Sequence, residues 1–144
     1  MQIRLAETAG FCFGVERAVA LAEQTARTCK NAVTLGPIIH NRHVVERFER
    51  LGLHEISSAE EAEPGQTVVI RAHGIPVSEQ RMLSARGAAA VDATCPFVKK
   101  IHVIAQKAER DGRSLLIIGT PTHPEVAAIA SYSSDAHVLQ TAEA

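Results

Sequence analysis

Tryptophan is absent from this chain, and aromatic residues make up only 3% of it. That scarcity argues against a surface that stacks nucleobases on aromatic rings. A strong charge of either sign is also missing: Lys and Arg number 15 against 16 Asp and Glu, a formal net charge of -1. Such a balance is a poor match for a nucleic-acid partner, whose recognition starts from a basic patch. No apolar run is long enough to span a bilayer, and "MQIRLAETAG" lacks the apolar core of a secretion signal. Cysteine is scarce and odd in number, at 3, which does not make a disulfide framework. The expected compartment is a reducing cytoplasm, with neither membrane nor nucleic acid as partner.

What is present is a chain of 144 residues, 46% of them hydrophobic, enough for a core of ordinary size. Short apolar runs alternate with helical patterns, which is the mark of α/β folds with a mainly parallel sheet. "QIRLAE" reads as a first strand, and "GVERAVALAEQTAR" as a helix with Val15, Ala18, Val19 and Ala22 on one face. "AVTLG" is a strand. Asn41 is placed to cap a helix from Arg42 to Leu51, with Gly52 just beyond it. In "SSAEEAEPG", Ser58 and Glu61 stand in capping-box register, predicting a short helix closed by Pro64 and Gly65. "TVVIRA" and "AAAVDAT" read as strands around a helix "SEQRMLSAR". "FVKKIHVIAQKAERDG" is the strongest helix, with Val98, Ile101, Ile104, Ala105 and Ala108 as its apolar face. "SLLIIG" reads as a buried strand, "PEVAAIASY" as a helix and "AHVL" as a last strand, before "LQTAEA" ends the chain with no terminating element.

Parallel α/β sheets bind ligands beyond the carboxyl ends of their strands. Each strand end here delivers a cysteine or a histidine: Cys12, His40, His73, Cys95 and then His123 with Glu125. Cys95 precedes Pro96, a residue suited to the first turn of a helix, so its sulfur falls at a helix N-terminus. That position favours the thiolate, the form that attacks electrophiles and binds metals. Zinc would use Cys and His, but structural zinc sites favour close C-x-x-C pairs, which are absent. A Cys–His hydrolase leaves the second cysteine and the further histidines unused. An iron–sulfur cluster on dispersed cysteines, with histidines nearby for an anionic substrate, uses them all. Gly-rich turns and helix N-termini beside imidazoles also suit phosphate. His43, His54, His102 and His137 read as surface or packing residues, Cys29 as inert, and Lys99 and Lys100 as a solvated helix face.

"GFCFGVERAV", "HNRHVVERF", "RAHGIP", "DATCPFVKKIH" and "THPEV", in this order, resemble the 4-hydroxy-3-methylbut-2-enyl diphosphate reductase (LytB/IspH) family over nearly the whole chain. The resemblance covers the N-terminal half or so of a typical member. It implies a fold of three αβ units around a 4Fe–4S cluster, of which this chain holds residues 1–95 as a first unit with cluster ligands and residues 96–144 as part of a second. Cys12 and Cys95 match two of the family's three cluster cysteines; the third lies in the portion not spanned here, and Cys29 matches none. His40, His73 and His123 match the histidines that surround the substrate and contact its diphosphate, and Glu125 matches the acidic residue that supports proton delivery. The implied reaction removes the hydroxyl of an allylic diphosphate with two electrons and two protons, giving isopentenyl and dimethylallyl diphosphates of the non-mevalonate isoprenoid pathway. Ferredoxin or flavodoxin is the implied electron donor. The resemblance also implies that the first strand pairs with the last αβ unit, leaving "QIRLAE" loose or paired with another copy. Two expectations follow: a reductase half that is active once completed, or a truncated module that binds phosphate or metal without turnover.

Overall fold

The protein is described by a computed structural model covering residues 2–141. The last part of "LQTAEA", residues 142–144, lies outside the described residues. The chain runs α1 (Phe13–Thr28), β1 (Ala32–Leu35), α2 (Arg42–Arg50), β2 (His54–Ile56), a 3-10 turn (Ala59–Glu61), β3 (Thr67–Ile70), α3 (Val77–Ala85), β4 (Ala89–Asp92), α4 (Pro96–Arg110), β5 (Leu115–Ile118), α5 (Pro124–Ala130) and β6 (Ala136–Leu139). The expected α/β class with parallel sheets is what forms: one sheet in the order β2-β1-β3-β4 and a second of β5 and β6, every pairing parallel.

Two-sided burial explains the first sheet. Ala32 and Val69 join Ala18 and Ala22 of α1 and Val44 and Phe48 of α2 in one core. Their strand neighbours Val33, Leu35, Val68 and Ile70 join Leu83 of α3 in the other. Alternate residues therefore enter opposite cores, so the central strands read as continuous apolar runs. Asn41 caps α2 as expected, its side chain accepting from the Val44 N–H at 3.2 Å. Gly52 follows that helix at φ +80°, where a side chain would be strained. The Ser58–Glu61 capping box forms, but around a single 3-10 turn.

The structure corrects four sequence expectations. "QIRLAE" is not a strand: residues 2–7 are irregular or turn and exposed, with Ile3 79% and Leu5 86% accessible. Its alternating pattern is strand-like, but among the described residues no strand pairs with it to complete a ladder. The strand β2, which contains His54, is one the sequence hides, because it has three residues and no apolar alternation. The inner face of α4 is Val98, His102 and Ala105, whereas Ile101 and Ile104 are 41% and 63% exposed. Finally β5 is not buried on both sides: Leu116 and Ile118 stand 61% and 81% exposed. A two-stranded sheet with α4 and α5 packed against it has one face uncovered.

Candidate functional site

In the first sheet the chain steps outward from β1 to β2, then returns to place β3 on the other side of β1. The carboxyl ends of β1 and β3 thus flank a switch point, where α/β sheets form their ligand crevice. His40 lies beyond β1 and His73 beyond β3. The two loops are tied together, since the Ala72 N–H donates to the Ile38 carbonyl at 3.1 Å. The Cys95 N–H in turn donates to the Ala72 carbonyl at 2.9 Å, so the cysteine loop joins the same rim.

His123 arrives from the second sheet, at the N-cap of α5. It brings a third ring to the crevice: centroids are 4.6 Å apart for His40 and His73, 5.9 Å for His40 and His123, and 5.6 Å for His73 and His123. One ring nitrogen from each lies within 4.8 Å of the others. His40 is exposed and His73 half-buried, so the cluster opens to solvent on one side.

Three imidazoles this close can serve a cation or an anion, and their protons decide which. His123 Nδ1 accepts from the Glu125 N–H at 3.3 Å. In the neutral ring the proton then sits on Nε2, which becomes a donor and has no lone pair to offer. Burial, followed by the neighbouring His40 and His123 and by Arg71, lowers His73 from 6.5 to about 4, and it is neutral near pH 7. Its Nδ1 is buried without a hydrogen-bond partner. A neutral ring that donates from Nε2, beside a second ring with an unsatisfied nitrogen, has hydrogen-bonding capacity left for an oxyanion.

The two rim cysteines each stand at a helix start. Cys12 is the N-cap of α1 and Cys95 the N-cap of α4, and neither sulfur caps its own helix. Both are free thiols, Cys12 exposed and Cys95 half-buried. Gly14 makes the approach possible, because a Cβ there would lie 2.4 Å from Cys95 Sγ. Arg17 on α1 then fastens the cysteine loop, donating to the carbonyls of Thr94 at 3.2 Å and Asp92 at 3.4 Å. Asp92 shapes that loop by accepting from the Thr94 N–H at 2.9 Å, with Lys99 Nζ at 2.7 Å from its other oxygen. Burial raises the affinity of Asp92 for a proton, but these bonds together hold it below the ordinary carboxylate value.

A 4Fe–4S cluster suits this donor set: two unpartnered thiols on neighbouring helix starts with a glycine cradle between them. Cys29 is no candidate, because it ends the helix that Cys12 begins, about 25 Å away at 1.5 Å per residue. Glu125 sits half-buried in the first turn of α5, outside the close trio of rings. The features that sequence reading did not anticipate are Arg17 and the Asp92–Lys99 pair, Lys99 being expected on a solvated helix face. Arg17 carried a faint signal, as a charge beside the apolar stripe of α1; the Asp92–Lys99 pair forms locally, across the turn from β4 into α4.

Fold and rim together define a class: a parallel α/β protein with a thiol- and imidazole-lined crevice at its strand ends. The family follows from comparison. The model of the "LytB protein" family matches residues 3–144, and the chain belongs to that family. It is 42% identical over 134 residues to 4-hydroxy-3-methylbut-2-enyl diphosphate reductase of Citrifermentans bemidjiense, covering 93% of this chain and 47% of that one. The Aquifex aeolicus reductase is 44% identical over 133 residues, covering 92% and 46%. Among solved structures, (E)-4-hydroxy-3-methyl-but-2-enyl diphosphate reductase, the terminal enzyme of the non-mevalonate pathway, superposes with TM-score 0.82 at 41% identity, over 98% of this chain and 52% of the other. The corresponding Plasmodium falciparum reductase gives TM-score 0.89 at 26% identity, over 95% and 44%. The chain spans about half the length of the curated relatives it matches.

Proposed function

We propose that this chain is the cluster- and substrate-binding half of a 4-hydroxy-3-methylbut-2-enyl diphosphate reductase. The observation that carries the reading is the trio His40, His73 and His123, with ring nitrogens within 4.8 Å of one another at the switch point. These imidazoles bind the diphosphate of an allylic substrate as hydrogen-bond donors, His123 through Nε2. Their convergence from two sheets fixes the anion and thereby the position of the attached carbon chain. Cys12 and Cys95 hold two corners of a 4Fe–4S cluster, the third ligand coming from the part of the family length this chain does not span. When bound, the cluster supplies electrons and a Lewis-acidic iron for the substrate hydroxyl. Glu125, beside the anion on α5, supports proton delivery.

The overall change consumes two electrons, from a ferredoxin or flavodoxin, and two protons. The carbon–oxygen bond to the hydroxyl breaks, the oxygen leaves as water, and the second proton joins the allylic carbon skeleton. The products are isopentenyl and dimethylallyl diphosphates, and the setting is the cytoplasm. The same reading divides the chain into residues 1–95 and 96–144, supported by β1–β4 lying in one sheet and β5–β6 in another. A second reading, a phosphate- or metal-binding module without turnover, is favoured by one observation: the ring nitrogens of His40, His73 and His123 lie close enough to share one ion.

Calorimetry with inorganic pyrophosphate tests the anion site on this chain alone. Binding that weakens at least tenfold in His40→Ala or His123→Ala supports it, and binding indifferent to both replacements overturns it. Anaerobic reconstitution with iron and sulfide, in the family-length protein, tests the cysteines. Cys95→Ser should abolish cluster retention, and Glu125→Gln should keep the cluster while cutting turnover sharply. No turnover in any completed protein would leave the module reading standing.

A further inference from the structure

His102 belongs to no part of the site described so far, yet it is among the few buried polar residues, at 6% exposure. It projects from the inner face of α4, between Val98 and Ala105. On one side lies Gly74, the residue after His73: a Cβ there would meet His102 Cε1 at 2.7 Å and Nε2 at 3.4 Å. The turn at Gly74 is closed by its N–H donating to the Arg71 carbonyl at 3.0 Å, and its φ of +76° suits glycine. On the other side lies Tyr132, its ring centroid 4.7 Å away and tilted by 33°. Tyr132 follows α5, the helix that carries His123 at its start. Its hydroxyl is held by Gln80, which donates to it at 2.8 Å and to the Ile75 carbonyl at 3.2 Å.

The His102 ring is thus wedged between the turn that presents His73 and Tyr132, just past the far end of the helix that His123 opens. We propose that His102 is a positioning residue for the anion site: a flat wedge that sets the separation of His73 from His123. This rests on the reading of the three histidines as the diphosphate site. Nε2 is buried with no hydrogen-bond partner, so the outline of the ring, and not a bond at Nε2, makes the contact with Gly74 and Tyr132. Burial also lowers the proton affinity of the ring, with Lys99 adding to that and Asp92 opposing it. An uncharged plate of the same outline should serve equally well.

The test compares His102→Phe with His102→Ala in this chain, using inorganic pyrophosphate calorimetry and long-range proton–nitrogen spectra of the imidazoles. Phe keeps the plate, so affinity should stay within about twofold and the His73 and His123 signals should hold their wild-type positions. Ala removes it, so affinity should fall about tenfold and both signals should move. If Ala does not fold, Tyr132→Leu removes the ring on the other face of the plate, leaves the His73 turn untouched, and should reproduce the loss. A folded His102→Ala with unmoved imidazole signals overturns the inference, as does a His102→Phe that fails as badly as Ala. Failure of the wild-type chain to bind pyrophosphate would sink the anion-site reading instead, and the spectra would still decide the role of His102.

Discussion

Gly14→Ala sets two familiar effects against each other, and the structure decides between them. In most helices replacing glycine by alanine stabilises, by roughly 0.5–1 kcal/mol, because the unfolded chain loses freedom and the helix gains a better former. At Gly14 the new Cβ would lie 2.4 Å from Cys95 Sγ and 3.2 Å from its Cβ. Ordinary contact needs about 1 Å more, and overpacking of this kind costs about 1–3 kcal/mol. The clash therefore outweighs the propensity gain, and the variant should lose about 1–2 kcal/mol, a fall in Tm of a few degrees for a chain of this size.

Two readouts make the reasoning refutable. Urea denaturation gives the stability, and peptide mapping after iodoacetamide treatment gives the alkylation rates of Cys12 and Cys95. A displaced Cys95 should react faster than in wild type. In a double-mutant cycle, Cys95→Ala removes the sulfur but keeps the Cβ at 3.2 Å, so Gly14→Ala on that background should cost less than in wild type. A Gly14→Ala protein more stable than wild type, with Cys95 alkylation unchanged, would refute the close approach of α1 to the cysteine loop.

Three further outcomes are expected. Asn41→Ala removes the side chain that accepts from the Val44 N–H and should cost about 1 kcal/mol in the same denaturation assay; no loss would mean the cap is idle. Cys29→Ser should leave iron and sulfide content of the reconstituted family-length protein unchanged, whereas a loss would mean that Cys29 is recruited across the length of α1. His73 should titrate with a midpoint of about 4 by imidazole NMR, against an ordinary 6.5. Because its folded value is depressed, the unfolded chain binds the proton first: its contribution to stability is complete above the ordinary value and declines as pH falls from there toward about 4. A midpoint near the ordinary value would show the ring to be solvated.

The central strands and most helices were legible because each local signal agreed with the fold. Apolar runs such as "TVVI", the Asn41 cap and the Ser58–Glu61 box all specify structure within a few residues. The three histidines were legible as a group because each follows a strand, and the ends of β1, β3 and β5 bring their rings together. What sequence could not give was set by contacts between distant segments. The apolar residues of α4 spread widely around the helix, so periodicity alone did not distinguish the side holding His102 from the side holding Ile104. Arg17 and Thr94 meet across 77 positions of sequence. "QIRLAE" failed for the opposite reason, since its alternation was real but a strand exists only where another strand pairs with it.

The uneven cover of the two sheets carries a last consequence. In the first sheet Val68 and Val69 are fully buried and helices close both faces. In the second, β5 alternates half-buried and exposed residues, and only β6 pairs with it among the described residues. A two-stranded sheet has little stability of its own, so its protection rests on α5 and the inner face of α4. Amide exchange should therefore rank the strands, with Val68–Ile70 opening only with global unfolding and Leu115–Ile118 exchanging through a lower-energy local opening. His123 shares the second sheet's fate, because its backbone is anchored between β5 and α5. Pyrophosphate, by bridging His123 to His40 and His73, should slow exchange in β5 and β6 more than in β3. Equal slowing in both sheets, or none in the second, would mean that the anion does not span them.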